Sequence, residues 1–313
     1  FHPALLGDFS LAKSLTEALF NFAVIVDDFE MKISHVIRGE DHISNTPKQV
    51  LIGRALGFHE PLWAHLPLLL GHDKSKLSKR HGGFSIKEYR EQGYLAEAII
   101  NFVALLGWHP SAEGERGAKE QELFSREEIT KLFSLERMQK GGAIVDFEKL
   151  GWFNREYIKT LPVEELMKRG EAFISKEIRE SFSSASFEKL IGTLRERITT
   201  LKDLEPEIKL ILAPPSYTGE LLLWRGKMKA EEAQEIIDSM TNILSNIPSS
   251  NFREKTIESA LTPLVEKEGK GRVLWPLRAA LSGREASPGP YELADILGKE
   301  TCILRLETAK KLL

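Results

Sequence analysis

The hydrophobic period changes partway along the chain, and that change limits the fold more than any other feature. Between Asn21 and Leu70, short apolar runs alternate with a helical pattern. "FAVIVDD" (Phe22–Asp28) and "ISHVIRG" (Ile33–Gly39) are β-branched runs closed by turn residues, which predicts strands. "SNTPKQVLIGRALGF" predicts a helix, with Thr46 as its cap, Pro47 in its first turn and Gly57 at its exit. "WAHLPLLL" predicts a further buried strand, weakened by Pro67. Strand, strand, helix, strand is the order of part of an α/β domain with a parallel sheet.

From Ser85 the period lengthens. "SIKEYREQGY" and "LAEAIINFVALLG" have helical spacing, with Gly107 as a stop, and "EGERGAK" reads as a loop. "SREEITKLF" opens with Ser125 and carries Glu128 three residues on, the pattern of a capping box. Beyond Asn154 nearly every segment places apolar residues three and four apart. Examples are "VEELMKRG", "SFEKLIGTLRERITTL", "KAEEAQEIIDSMTNIL" and "REKTIESALTPLVEKEG". The last helix, from Tyr291 to Leu313, is broken near Gly298. The sequence thus predicts an α/β piece, a helical connector and an all-helical C-terminal domain. The tryptophans at 152, 224 and 275 are expected in the core.

Composition narrows the function classes. The 313 residues are 42% hydrophobic and 28% charged, enough for large packed cores. A net charge of -3 means that any nucleic-acid contact must use local patches. A single cysteine, Cys302, supports neither a disulfide framework nor a Cys-based zinc site, and a reducing, intracellular compartment is expected. Apolar stretches such as "LPLLL" are far too short to span a bilayer, so no membrane association is expected. The chain opens on Phe1 and enters β-branched sequence quickly, which suggests a fragment or a processed chain.

Two stretches carry chemistry. "GHDKSKLSKRHGG" (Gly71–Gly83) gathers Lys74, Lys76, Lys79 and Arg80 between glycines, directly after a predicted strand. Lysines flanking the apolar Leu77 can reach one anionic group, and a polyphosphate is the natural target at the carboxyl end of such a strand. A solvated charge run or a nonspecific nucleic-acid patch is the plainer reading of a Lys/Arg cluster. Upstream, "HVIRGEDHISNTP" puts Arg38, Glu40, Asp41 and His42 at another strand end. An arginine there can pair bidentately with a carboxylate, and Asp41 could accept bonds from a ribose.

Taken together, the two stretches resemble a known family. "KLSKR" is similar to the KMSKS signature of class I aminoacyl-tRNA synthetases, with Leu77 for Met and Arg80 for the final Ser. Residues Phe20–Phe58, "PLLLGHDKSKLSKRHGG", "LGW", "GGAIVDFEKLGWFN" and "LWPLRAALSG" resemble the glutamyl-tRNA synthetase branch, bacterial type. The resemblance implies an α/β Rossmann-like half-domain (1–88) with the basic loop, a mostly α-helical connector (89–154) and an all-α anticodon-binding domain (155–313). It implies a glutamate–tRNA ligase that forms glutamyl-adenylate from ATP and transfers glutamate to the 3′ end of tRNA(Glu).

The resemblance also assigns roles. Lys76, Ser78, Lys79 and Arg80 would form the catalytic loop that stabilises the departing pyrophosphate. Asp41, Leu69, Leu77 and Lys79 would meet ATP, while Arg38 and Phe20 would face glutamate. Phe20 stands where many relatives have Tyr, so one substrate hydrogen bond is expected to be missing. Arg278, Ser287, Pro288, Pro290 and Tyr291 match the family's anticodon contacts. Cofactors implied are ATP with Mg²⁺, without zinc or a protein metal cage. Partners implied are L-glutamate and tRNA(Glu), with tRNA(Gln) left open, for a cytoplasmic monomer. The helical C-terminal half argues against glutaminyl relatives, which read anticodons with β-barrels. No HIGH-like string occurs among the 313 residues, so the chain is expected to be inactive alone. The alternative from another class is a non-catalytic tRNA-binding module derived from a synthetase.

Overall fold

The structure is a computed structural model that describes residues 1–77, 85–110 and 121–313. The predicted loop at 113–119 therefore lies outside the described residues. The chain divides into two compact units. Unit 1 is Phe1–Ser85 with Glu97–Leu150, and unit 2 is Ile86–Ala96 with Gly151–Leu313.

Unit 1 opens with a small antiparallel hairpin of β1 (Ala12–Ser14) and β2 (Glu17–Ala18), followed by α1 (Phe20–Glu30). Next come β3 (His35–Gly39), α2 (Thr46–Ala55), β4 (Leu62–Leu66) and β5 (Leu69–Leu70). β3 and β4 pair in parallel with Arg38 opposite His65, so β3–α2–β4 is a strand–helix–strand crossover. The parallel α/β expectation holds for this pair. After α3 (Ile86–Glu91), which belongs to unit 2, come α4 (Ala96–Gly107), α5 (Arg126–Leu132) and β6 (Ala143–Ile144). β6 pairs in parallel with β5. The Ser125–Glu128 capping box forms as expected: the serine hydroxyl accepts from the Glu128 amide, and the glutamate accepts from the Ser125 amide.

Three local expectations are corrected. "FAVIVDD" is not a strand; it lies within α1. A short unbroken apolar run does not distinguish a buried strand from a helix, and here tertiary packing decides. Ile25 is buried, with its Cγ2 3.7 Å from where a Cβ on Gly53 of α2 would sit, while Phe29 stacks on Phe58 with centroids 3.9 Å apart. Thr46 does not cap α2: Asn45 holds the cap position, and the Thr46 hydroxyl is used elsewhere, as described below. "WAHLPLLL" forms two strands, β4 and β5, interrupted at Pro67, which cannot donate to a ladder.

Unit 2 is helical. It contains most of α6 (Phe147–Thr160), then α7 (Val163–Gly170), α8 (Lys176–Glu180), α9 (Ser184–Leu194) and α10 (Leu204–Leu212). α11 (Ala230–Ser245), α12 (Glu254–Glu268), α13 (Lys270–Ser282) and α14 (Pro290–Lys310) follow. Leu190, Ile191, Leu194, Ile198, Leu204 and Ile208 are all completely buried, the stripe that the four-residue spacing predicted. Each such side chain contributes about 1.5–3 kcal/mol relative to exposure. Helix α14 is kinked at Gly298, whose φ of 77° is available to glycine, as the sequence indicated. Trp152 departs from expectation: it is 39% exposed, whereas Trp108 of unit 1 is the fully buried tryptophan. Among the described residues no helix is long and apolar enough to cross a membrane.

Candidate functional site

In unit 1 the crossover delivers Arg38 to the carboxyl end of β3, where the backbone turns into a short 3-10 segment carrying Glu40, Asp41 and His42. Arg38 is only partly exposed. Its Nη2 donates to Thr46 Oγ1 at 2.8 Å and to Gln49 Oε1 at 2.7 Å. Thr46 and Gln49 lie three residues apart, on one face of α2. The guanidinium carbon sits 5.0 Å from the centroid of Trp63, in cation–π range. The Thr46 hydroxyl also reaches His65 Nε2 at 2.9 Å and the His42 carbonyl at 3.2 Å. These contacts modify the bidentate expectation. Both Nη2 hydrogens are spent on protein acceptors, so pairing through both terminal nitrogens is closed to an incoming carboxylate. Nε is buried without a protein partner.

The electrostatics follow from burial. Desolvation lowers the Arg38 pKa, against the opposing charges of Asp28 and Asp41. Burial raises the Asp28 carboxyl, while Arg38 pulls it down. His65 is lowered by burial first, then by the positive charge of Arg38 and His42. The Lys76 ammonium lies 2.9 Å from Asp41 Oδ2, and this hydrogen bond holds the Asp41 carboxyl below its ordinary value. Both partners are exposed, so the pair is a weak, salt-sensitive link.

β5 holds the start of the basic loop. The Leu77 amide donates to the Leu69 carbonyl at 2.8 Å, and the Gly71 amide to the Ser75 carbonyl at 2.9 Å. Asp73 accepts from the Ser75 amide and hydroxyl, closing the turn. Leu69 is 40% exposed and Leu77 half-buried, so both apolar side chains border the same strand end. The Leu77 N–H is already used within this hairpin. Ser78, Lys79 and Arg80 lie outside the described residues. Phe20, at the start of α1, is 53% exposed and meets His42 with ring centroids 5.6 Å apart. Phe20, Arg38, Asp41, Leu69, Lys76 and Leu77 thus fall in one compact unit, at strand ends and the helix start beside them.

In unit 2 the other candidates gather where α13 ends and α14 begins. Arg278, Ser287 and Tyr291 are half-buried; Pro288 and Pro290 are buried and shape the turn. The Ser287 hydroxyl donates to the Pro288 carbonyl at 3.1 Å, and Glu292 accepts from the Gly289 amide at 3.0 Å. Arg278 lines a cleft of about 410 Å³ with Glu220, Trp275 and Glu285. Its Nε is buried without a protein partner, while the Trp275 indole donates to the Leu221 carbonyl at 2.8 Å. Burial raises the Tyr291 phenol, and the charge of Glu258 adds to that.

Known proteins match both units. Residues 1–152 match the family of class I tRNA synthetases (E and Q), catalytic domain, and residues 162–310 match an anticodon binding domain. A glutamate–tRNA ligase of Syntrophomonas wolfei is 40% identical over 99% of this chain and 61% of its own length. The chain belongs to the class I tRNA synthetases of the E and Q group. A glutamate–tRNA ligase of Natranaerobius thermophilus is 39% identical over 97% of this chain. A glutamate tRNA ligase from Elizabethkingia meningosepticum, solved in complex with its amino acid, superposes with a TM-score of 0.80 at 32% identity. That alignment covers 96% of this synthetase chain and 61% of the solved one. The chain therefore spans about three-fifths of the length of the relatives it matches.

Sequence reading missed the cradle of Arg38. Thr46 has the sequence pattern of a cap, and Gln49, Trp63 and His65 belong to no motif. The available signal was the three-residue spacing of two hydrogen-bonding side chains on a helix that follows the arginine strand. Glu220, Trp275 and Glu285 had no comparable signal, because their cleft is assembled from segments distant in sequence.

Proposed function

We propose that this chain is part of a glutamate–tRNA ligase, contributing one portion of the activation site and the anticodon reader. The observation that carries the reading is a single chain joining a class I (E and Q) catalytic match to an anticodon-domain match. Within the first match, Arg38, Asp41 and Lys76 stand at adjacent strand ends. The α-carboxylate of glutamate attacks the α-phosphorus of ATP; the bond to the β-phosphate breaks and pyrophosphate leaves. A ribose hydroxyl at the tRNA 3′ end then attacks the adenylate carbonyl, losing its proton as AMP departs. Neither step requires a covalent protein nucleophile, so positioning and charge stabilisation carry the catalysis.

In this reading Arg38 receives the glutamate side chain, and Asp41 serves the ribose once Lys76 is drawn towards the phosphates. Lys79 stabilises the pyrophosphate charge, with Ser78 and Arg80 in the same loop. Leu69 and Leu77 frame the adenine. Mg²⁺ enters with the ATP phosphates; among the described residues no group of three His, Cys, Asp or Glu is arranged to hold a metal. Arg278 and Tyr291 offer hydrogen-bonding and stacking surfaces to splayed anticodon bases, and the Ser287–Pro290 turn shapes their site. The same reading makes the protein a cytoplasmic monomer acting on tRNA(Glu), with tRNA(Gln) as a second possible substrate.

The test uses the chain as it stands. At fixed moderate salt, tRNA(Glu) binds at least about tenfold tighter than the same tRNA with an altered anticodon, against the salt-set nonspecific background. Equal affinity would overturn the reader assignment at Arg278 and Tyr291. A second prediction concerns glutamate. Supplied with a catalytic half carrying the HIGH signature, the Phe20→Tyr variant lowers the glutamate KM by about threefold to tenfold, the worth of one neutral hydrogen bond. Steady-state ATP–pyrophosphate exchange measures it, and an unchanged KM would place Phe20 outside the glutamate pocket.

A further inference from the structure

Gln49 is completely buried, and both ends of its amide are used. A guanidinium can only donate, so the side facing Arg38 must be Oε1, which accepts at 2.7 Å. Nε2 must then donate, and it does so to Asn21 Oδ1 at 2.9 Å. Asn21 thereby fixes which way the Gln49 amide points, and Gln49 fixes where Arg38 points. The remaining supports are the Thr46 hydroxyl and the Trp63 ring face.

All of these supports are neutral. Among the described residues no carboxylate lies within ion-pair distance of Arg38. The acids that act on it through space are Asp28 and Asp41, and Asp41 is engaged by Lys76. This arrangement is unusual for a partly buried cation, whose desolvation is normally offset by an internal acid. Neutral acceptors hold the guanidinium in place without cancelling its charge. A carboxylate arriving from outside then meets an oriented cation that no acid contacts, and gains a charge-assisted bond.

We propose that Gln49, oriented by Asn21, is a positioning residue that presents Arg38, free of any contacting acid, to the side-chain carboxylate of the amino-acid substrate. The Gln49–Arg38 pair thereby sets the preference for an acidic over an amide side chain. This rests on the glutamate reading above. It predicts that charge at position 49, more than its volume, controls substrate choice. Gln49→Glu keeps the shape but places a carboxylate against Arg38, and Asn21 can turn its amide to donate to the second oxygen.

The test is ATP–pyrophosphate exchange in the presence of tRNA(Glu), with the chain joined to a HIGH-bearing catalytic half. In Gln49→Glu the glutamate KM rises about tenfold or more, the scale of one lost charge pairing, while the ATP KM stays within about twofold. The ratio of kcat/KM for glutamate over glutamine falls by a similar factor. The thermal midpoint does not fall, which separates this outcome from a folding defect. An unchanged glutamate KM and an unchanged glutamate-to-glutamine ratio would overturn the proposal. A second measurement uses the 313-residue chain without any reaction. Arginine-labelled nitrogen NMR shows slowly rotating Nη2 protons for Arg38 that are lost in Gln49→Met; their persistence would also overturn it. Wild-type enzyme with no glutamate-dependent exchange in the presence of tRNA(Glu) would instead fail the ligase reading, a result distinct from either of these.

Discussion

Replacing Arg305 with methionine lowers the stability of the C-terminal unit by about 3–5 kcal/mol, the cost of breaking a buried charged network from one side. Arg305 is 5% exposed. Its Nη1 donates to the Leu281 carbonyl, and its Nη2 reaches the carbonyls of Ile211, Leu212 and Ala213 at 3.0, 2.9 and 2.9 Å. These oxygens belong to the C-terminal ends of α10 and α13, where carbonyls lack partners within the helix and carry partial negative charge. One side chain of α14 thus closes two other helices. Burial lowers the Arg305 pKa, and no carboxylate among the described residues pairs with it. The helix ends therefore supply its compensation. Methionine fills much of the volume but takes the donor from four helix-end carbonyls, of which those of Leu281 and Ile211 are buried.

The loss should appear as a drop in thermal midpoint of roughly 6–20 °C by calorimetry, for a unit of this size. Arg305→Lys keeps the charge but not the planar fork, and falls between the two. A midpoint for Arg305→Met within about 2 °C of the parent would show that water replaces the clamp at little cost. Two neighbours are affected by the same burial. The Cys302 thiol is pushed up to about 12, and so is the Tyr217 phenol. Both remain neutral at physiological pH and leave the arginine charge to the carbonyls.

The second large effect is catalytic. Lys79→Ala, in an enzyme completed by a HIGH-bearing half, slows glutamate-dependent ATP–pyrophosphate exchange by about 10²–10³-fold, the usual worth of one preorganised charge at a transition state. Affinity for tRNA at fixed salt stays within about twofold, since one phosphate contact among many is a small part of that binding. Equal losses in exchange and in tRNA affinity would make the basic loop a nucleic-acid patch. The two lysines need not behave alike. Lys76 is held by Asp41 in the resting chain, so its substitution also frees the carboxylate assigned to the ribose.

Local chemistry made much of this protein legible from its sequence. The Ser125–Glu128 box, the kink at Gly298, the exit at Gly57 and the apolar stripes of α7, α9, α11 and α12 depend on neighbours within one or two turns. Such patterns dictate the same structure in any compact setting. The basic loop and the Arg38–Asp41 turn stand out in the sequence as charge at strand ends, a pattern that a solvated charge run fits equally well. Their family resemblance then supplied roles that spacing could not.

Tertiary structure decided the rest. "FAVIVDD" has the composition of a strand, yet it became a helix because Ile25 packs on Gly53 and Phe29 on Phe58, partners about thirty residues away. Thr46 looked like a cap until β3 brought Arg38 to its hydroxyl. Gln49 and Arg305 look ordinary in the sequence, as a polar and a charged residue on helices. Their roles come from what long-range packing sets against them: a guanidinium and an asparagine for one, two helix ends for the other. A residue whose partners are local carries its role in its neighbours, whereas a buried polar group acquires its role only when the fold supplies the partners that burial demands.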